Sequence, residues 1–493
     1  MVPFFFITQA VLAVVTLLLV FFCLKNTKRD PRYPPGPISL PLLGNVLQLV
    51  RDPLGVLQKW AVKYGPIFSI KMGPQDTIVV SDPKLVKELF SDVNSTGRAP
   101  NPVTHYFGDG YGIVNNDGRI WETQRRYTLR KLRDAGVFKS SIEGFIMKET
   151  STLTNYFQQN VGKPIPGIKF YTGPFVNALW RTISGESIDW ATSEKPDILK
   201  GVCDLLNSLN RTADSGLFFA PFLRHIAPGY FGWTGWVNSV AKVSFENFVA
   251  EISPPSLSLR DFIDNYLVEM QKSEYSTSKL GMDMGEKNLR AIIGDLFIAG
   301  AETSATTLSF ATLYLIHNSR AQRKAQQEID RMVGSRPISL SDKPLLPYTE
   351  AIIMETLRLS SILPVSIPHQ ILADTVFHGF FLPKGTTVLA SQYGIHHDPK
   401  IWGNDVNEFR PERFLSEDEN HVVLHDALIP FSVGRRSCLG EGFAKDVIFL
   451  FVASILQKFN IKPDPGCPIV DIEPQSGIAL EPKRFKFVLS LRE

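Results

Sequence analysis

Phe431-Ser432-Val433-Gly434-Arg435-Arg436-Ser437-Cys438-Leu439-Gly440 decides the reading of this 493-residue chain. It is F-x-x-G-x-R-x-C-x-G, five fixed residues at fixed offsets, and it sets one cysteine just before the apolar run Val447 to Leu456. That order predicts a turn and then a helix. A cysteine at a helix N-terminus beside cationic groups has its thiolate favoured, and a thiolate can ligate a metal. Gly434 allows a sharp backbone reversal, and the nearby amides can then point at the sulfur. Arg436 can fork onto a carboxylate, Phe431 can shield the sulfur from water, and Gly440 lets the following helix come close to a bound group.

Three further segments are unusual for where they lie. The longest helical pattern, from about Asp283 to His317, contains Ala299-Gly300-Ala301-Glu302-Thr303-Ser304. Glycine inside a helix costs about 1 kcal/mol relative to alanine. Thr303 can turn its hydroxyl back to the carbonyl of Ala299, so two local penalties fall at one point. Glu355-Thr356-Leu357-Arg358 puts opposite charges at i, i+3 on one helix face. On a surface such a pair contributes little, but Ile352, Ile353, Leu357 and Leu359 surround it and predict burial. Phe409-Arg410-Pro411-Glu412-Arg413-Phe414 supplies a further arginine, and Trp121-Glu122-Thr123-Gln124-Arg125 is a W-x-x-x-R.

Taken together and in this order, these segments resemble the cytochrome P-450 superfamily, in particular its microsomal family-2-like haem-thiolate monooxygenases. The resemblance implies a mainly α fold with minor β, a single haem domain, and haem b whose axial iron ligand is the Cys438 thiolate. It assigns haem-propionate contacts to Arg98, Trp121, Arg125, His369 and Arg436. It makes Glu355, Arg358 and Arg413 a structural cluster that holds the cysteine loop. Thr303 is then a hydrogen-bond donor on the dioxygen side, and Glu302 a proton relay working through water. The implied reaction inserts one oxygen atom from O2 into a hydrophobic substrate, with electrons from NADPH through NADPH-cytochrome P-450 reductase, a flavoprotein. A haem-thiolate isomerase or dehydratase that needs no dioxygen is an alternative, against which the Glu302-Thr303 pair counts. A membrane-tethered haem sensor is another, with no output domain after the haem loop to favour it.

Composition agrees with a globular body. Charged residues make up 20% and the net charge is only +3, which gives no reason to expect nucleic-acid binding. Four scattered cysteines, Cys23, Cys203, Cys438 and Cys467, form no C-x-x-C pair and fit a reducing compartment. From Val2 to Leu24 the chain is almost wholly apolar, long enough for a helix of about 20 residues to span a bilayer. Lys25, Lys28, Arg29 and Arg32 follow, and positive flanks stay cytosolic. The expected plan is therefore a transmembrane anchor at 1–24, a basic and proline-rich hinge at 25–37, and the catalytic domain at 38–493. The catalytic body would lie on the cytosolic face of the endoplasmic reticulum membrane, in contact with lipid. The sequons at Asn94 and Asn210 would then go unused, since glycosylation needs the lumen.

Substrate contacts implied by the resemblance fall on Phe107, Leu206, Phe218, Phe219, Phe297, Ala299, Ile362, Val365, Ile367, Ile478 and Ala479. They are apolar, which suits a fatty acid, terpenoid, steroid or foreign compound. The aromatic run Phe218 to Trp236 is equally suited to core packing or to dipping into the membrane. Arg125, Arg126, Arg130, Lys131, Arg133 and Lys139 crowd one short stretch. They form either an ordinary solvated face or a docking surface for an acidic electron donor.

Overall fold

A computed structural model describes Val14, Thr16 and residues 30–492, apart from 41–42, 102, 104, 107–109, 135–139, 186, 192–196, 215–216, 218–220, 222, 243–261, 275–284, 468–470 and 476–478. The expected anchor at 1–24 lies outside the described residues except for Val14 and Thr16. Among the described residues no helix is long and apolar enough to cross a membrane.

The chain opens with helix α1 (Pro53–Tyr64), the hairpin β1 (Ile67–Met72) and β2 (Gln75–Val80), then α2 (Pro83–Ser91). Asp82 caps α2 by accepting from the amides of Lys84 and Leu85, and Pro83 takes the first turn, where a missing N–H costs nothing. The proline segment ahead of α1 is docked on the body. Pro35 O accepts from Ser69 N at 2.8 Å and Pro34 O from Ser69 Oγ at 2.6 Å. After β3 (Gly97–Arg98) the chain is helical through α3 (Gly118–Asp134), α4 (Ser140–Gln159), α5 (Thr172–Ser184), α6 (Asp197–Asp214) and α7 (Glu286–His317). Helices α8 (Ser319–Met332) and α9 (Pro347–Ser360) follow. Strands β4 (His369–Gln370) and β5 (Thr387–Ala390) then return to the first sheet. Helix α10 (Glu441–Lys458) and the strands β6 (Phe459–Pro463), β7 (Glu481–Pro482) and β8 (Lys486–Leu491) complete the fold.

Helix α7 is apolar on nearly every side, as a helix at the centre of a core must be. It packs on α5, α9 and α10 within one large cluster that includes Phe175, Trp180, Phe310, Leu313, Phe449 and Leu450. The main sheet runs β1-β2-β5-β4-β3. Its β2 and β5 pair in parallel (Thr77 opposite Thr387), and β3 and β4 pair antiparallel with Arg98 opposite His369. That register sets two of the expected propionate contacts side by side at the sheet edge.

The Glu355-Arg358 pair on α9 is fully buried, with the guanidinium forked onto the carboxylate at 2.7 and 2.8 Å. Arg413 joins it, its Nε 3.2 Å from Glu355 Oε1 and its Nη1 2.6 Å from the Trp402 carbonyl. Arg358 Nη1 also donates to His396 O at 2.8 Å. The cluster ties α9 to both turns that precede the cysteine loop. His396 is buried: its Nε2 accepts from Ile429 N, so Nδ1 carries the proton and donates to Ser361 Oγ. It is a strut between loops.

Candidate active site

A cavity of about 250 Å³ lies between α7 and the cysteine loop. One wall is Phe431 and residues 436–440, the opposite one is Ala299, Gly300, Thr303 and Thr307 of α7, and a rim is formed by Arg98, Arg125, His369 and Arg436. The cysteine turn is made by two residues with positive φ, Ser432 at +58° and Gly434 at +78°. A Cβ at Gly434 would stand 2.2 Å from Phe90 O, so only glycine lets the loop seat on α2. Cys438 N donates to Phe431 O at 2.8 Å and closes the turn.

Cys438 lines this cavity and is accessible there, yet it is closely surrounded by protein. Burial therefore dominates and pushes its thiol up, with the Glu441 carboxylate acting in the same direction. The Gly440 N–H, which points at the sulfur, and Arg125 oppose this shift without overcoming it. Both act in the direction the sequence predicts, and for the free thiol burial outweighs them.

Gly300 has a packing role: a Cβ there would lie 3.0 Å from Leu179 Cδ2, so its absence lets α5 approach α7. Thr303 Oγ1 donates to Ala299 O at 2.7 Å, the back-bond anticipated from the spacing. Glu302 faces the other side of the helix. It lines a separate small pocket with Glu481 and Lys169, and Asn210 Nδ2 donates to its Oε1 at 2.8 Å.

The rim is a concentration of cations with little carboxylate to balance it. Arg436 lies over the Trp121 ring at 3.7 Å and donates to the carbonyls of Thr96, Ile113 and Asn116. Burial first, then repulsion from Arg98, lowers it to about 8. Arg98 is lowered to about 10 by burial and by Arg125. Arg125 Nη2 donates to Ser437 O at 2.6 Å. His369 gives its Nδ1 proton to Ser95 O at 2.7 Å and stacks on Phe90, which leaves Nε2 as the free ring atom. Burial and Arg98 lower it to about 3. Arg98 Nη1 and Trp121 Nε1 are buried with no partner among the described residues. Unfilled donors and mutually repelling arginines beside an apolar slot fit a flat apolar group that carries carboxylates at one edge.

Several expected substrate contacts lie elsewhere. Ala299, Ile362 and Ile367 line the cavity. Phe297 is 3% exposed and packs on Trp180 at 5.7 Å, because its helical position faces α5. Val365 turns to the cluster of Leu57, Phe68, Ile70 and Val79. Leu206 borders the small pocket beside Glu302, and Ala479 is buried in the main core. Phe107, Phe218, Phe219, Ile478 and Lys139 lie outside the described residues.

Sequence reasoning missed Asp295. Its carboxylate accepts from Ile113 N at 2.7 Å and Val114 N at 2.9 Å, pinning the loop over the cavity to α7. Gly112 makes the approach possible, since a Cβ there would meet Asp295 Oδ2 at 2.4 Å. An aspartate one turn before the small-residue segment carries no signal of its own, because its partners are backbone amides. Asp295→Ala, which leaves two buried donors unpaired, is expected to cost about 1–3 kcal/mol, read by chemical unfolding. Burial raises Asp295 to about 7. A raised carboxyl contributes stability at low pH that is lost as pH rises through the folded value. Asp295→Asn, which can still accept, should therefore remove a stability decline between about pH 4 and pH 7.

With this geometry in place, comparison with known proteins is decisive. Residues 34–489 match the cytochrome P450 family. The chain belongs to the cytochrome P450 family. This P450 is 32% identical to the farnesoate epoxidase of Bombyx mori over 98% of each chain. It is 34% identical to cytochrome P450 2J5 of Mus musculus over 97% of this chain and 94% of the relative, and 32% identical to cytochrome P450 2B2 of Rattus norvegicus over 96% and 98%. It is a haem-thiolate monooxygenase of the microsomal family-2 type, and its cofactor is haem b with a cysteine thiolate ligand.

Proposed function

We propose that this P450 uses Cys438 as the axial thiolate, holds the haem propionates with Arg98, Trp121, Arg125, His369 and Arg436, and oxygenates an apolar, lipid-soluble substrate. The observation that carries this reading is the cavity itself, with a cationic rim at one edge, Cys438 below and an aliphatic roof above. Haem bound there supplies the electron-rich iron that activates dioxygen. The chain's own work is to bind, orient and limit water. Ile113, Val114, Leu296, Ile362, Leu363 and Ile367 offer the substrate apolar surface. Asp295, the carboxylate on that wall, is engaged by amides, so among the described residues the roof has no free carboxylate to bind a polar substrate. Thr303 can turn its hydroxyl from Ala299 toward the cavity as a donor, and Glu302, on the other side of α7, would relay protons to it only through water.

Electrons would come from NADPH through a flavoprotein reductase. Arg126, Arg130 and Arg133 are exposed on α3, whose Arg125 reaches the cysteine loop, and can steer an acidic donor. The plan of anchor 1–24, hinge 25–37 and body 38–493 on the endoplasmic reticulum is supported by exposed apolar residues near the chain start, Ile38, Leu47 and Val50, and again at Ile226 and Tyr230. Trp236, by contrast, is core, with its indole N–H on Val103 O, so only part of the aromatic run is available to lipid. Thr96 and Thr212, the hydroxyl residues of the two sequons, are buried, in keeping with a cytosolic body.

The test is reconstituted turnover with reductase, NADPH and labelled dioxygen against farnesoate, a fatty acid and a steroid. One labelled oxygen per product molecule is expected, for at least one of the three. Haem bound with a thiolate-type carbon monoxide spectrum, yet no labelled product from these or from a lipid extract, would refute an apolar-substrate oxygenase.

A further inference from the structure

Three elements converge on Glu302 on the side of α7 away from the cavity. From α6, the Asn210 carboxamide donates to Glu302 Oε1 at 2.8 Å and to Glu481 Oε1 at 3.2 Å. From β7, the Glu481 carboxyl lies within hydrogen-bond reach of the Glu302 carboxyl. From the chain before α5, Lys169 faces the same pocket, but its amine donates to Asn207 Oδ1. Cys203 of α6 is the other titratable group that lines the pocket among the described residues. Two carboxyl groups that meet on one amide nitrogen in a half-buried site repel each other when both are ionised. The pocket is about 30 Å³ and is lined by Thr172, Asn207, Thr306 and Ser309, polar and large enough for a water molecule.

We propose that Glu481 is a positioning residue for Glu302: the two carboxyl groups, bridged by the Asn210 carboxamide, hold one proton between them on the side of α7 opposite Thr303. Asn210 supplies one N–H to each carboxyl, which fixes their separation while leaving an oxygen on each free to share the proton. The pocket has room for a water that would replace a proton Glu302 gives up. The raised proton affinity of Glu302, to about 7, has burial as its first cause and Glu481 as an additional one, with Asn210 and Lys169 opposing. This inference rests on the reading of Glu302 as a proton carrier, and the pair can be tested apart from that reading.

The experiment is an infrared pH titration of the full-chain holoprotein with carbon-13-labelled glutamate, alongside the ratio of product to NADPH consumed. In the wild-type protein a protonated buried carboxyl band is expected, titrating near neutral pH and absent from Glu302→Gln. Glu481→Gln keeps the shape and a hydrogen bond but loses the charge, so the midpoint should fall by about one pH unit. The product ratio should lose its value at correspondingly lower pH, with the thiolate-type carbon monoxide spectrum unchanged as the folding control. A role for Glu481 as a mere strut between β7 and α7 predicts no movement of the midpoint in Glu481→Gln, and that result, or no protonated band at neutral pH, overturns the proposal. A band that shifts while the product ratio ignores pH sustains the shared proton and refutes Glu302 as carrier.

Discussion

Glu355→Ala is expected to destabilise the protein by about 3–5 kcal/mol, because it strands the Arg358 and Arg413 guanidiniums in the core without their carboxylate. Arg358 is wholly buried and spends two of its donors on Glu355. The same carboxylate accepts from Arg410 N at 3.0 Å, so its loss also frees the turn before the cysteine loop. Chemical unfolding of the holoprotein reads the first effect and haem retention on dilution reads the second. Replacing Glu355 and Arg358 together by Met and Leu should recover part of the loss, since no charge is then stranded on α9. An unfolding midpoint for Glu355→Ala equal to the wild type would show the cluster to be dispensable.

Cys438→Ser should abolish labelled-oxygen incorporation. The serine hydroxyl can occupy the same turn, with the backbone amide of that position still able to donate to Phe431 O, so the backbone has no reason to move. What is lost is the acidity. Burial already holds the Cys438 thiol above its ordinary value, and the far weaker acidity of a hydroxyl in that site leaves no anion for the metal. Haem should still be drawn to the cationic rim, and the bound species should lack the thiolate-type carbon monoxide spectrum. Undiminished product formation would refute Cys438 as the ligand.

The motifs legible in the sequence are those whose chemistry is carried by side chains at short, fixed offsets. The cysteine loop, the E-x-x-R pair and the Ala299–Thr303 turn are local, and each lies where its spacing placed it. Arg98 and His369 are instead brought together by a cross-strand register between distant parts of the chain. A family resemblance can name them, but no local spacing leads to them. Asp295 and the Asn210–Glu481 partnership are invisible in the sequence because their meaning depends on which faces of α6 and α7 meet which distant segment. Phe297 and Val365 fail as cavity residues for the same reason. An apolar residue near a site is equally at home in the core, and only the phase of helix or loop decides.

The parallel pairing of β2 with β5 joins residues 77–80 to residues 387–390. A ribosome must therefore release most of the chain before that ladder can close, and contacts so distant in sequence form slowly. Until then the β1-β2 hairpin, with Ile78, Val79 and Val80 in its outer strand, offers an open edge to any other nascent chain. Two of the four rim residues, Arg98 and His369, sit on the far strands of the same sheet, so the proposed propionate contacts would be complete only after that late closure. Expression at low temperature, or with haem precursor supplied only after synthesis has begun, should consequently matter more to yield than the strength of the finished core.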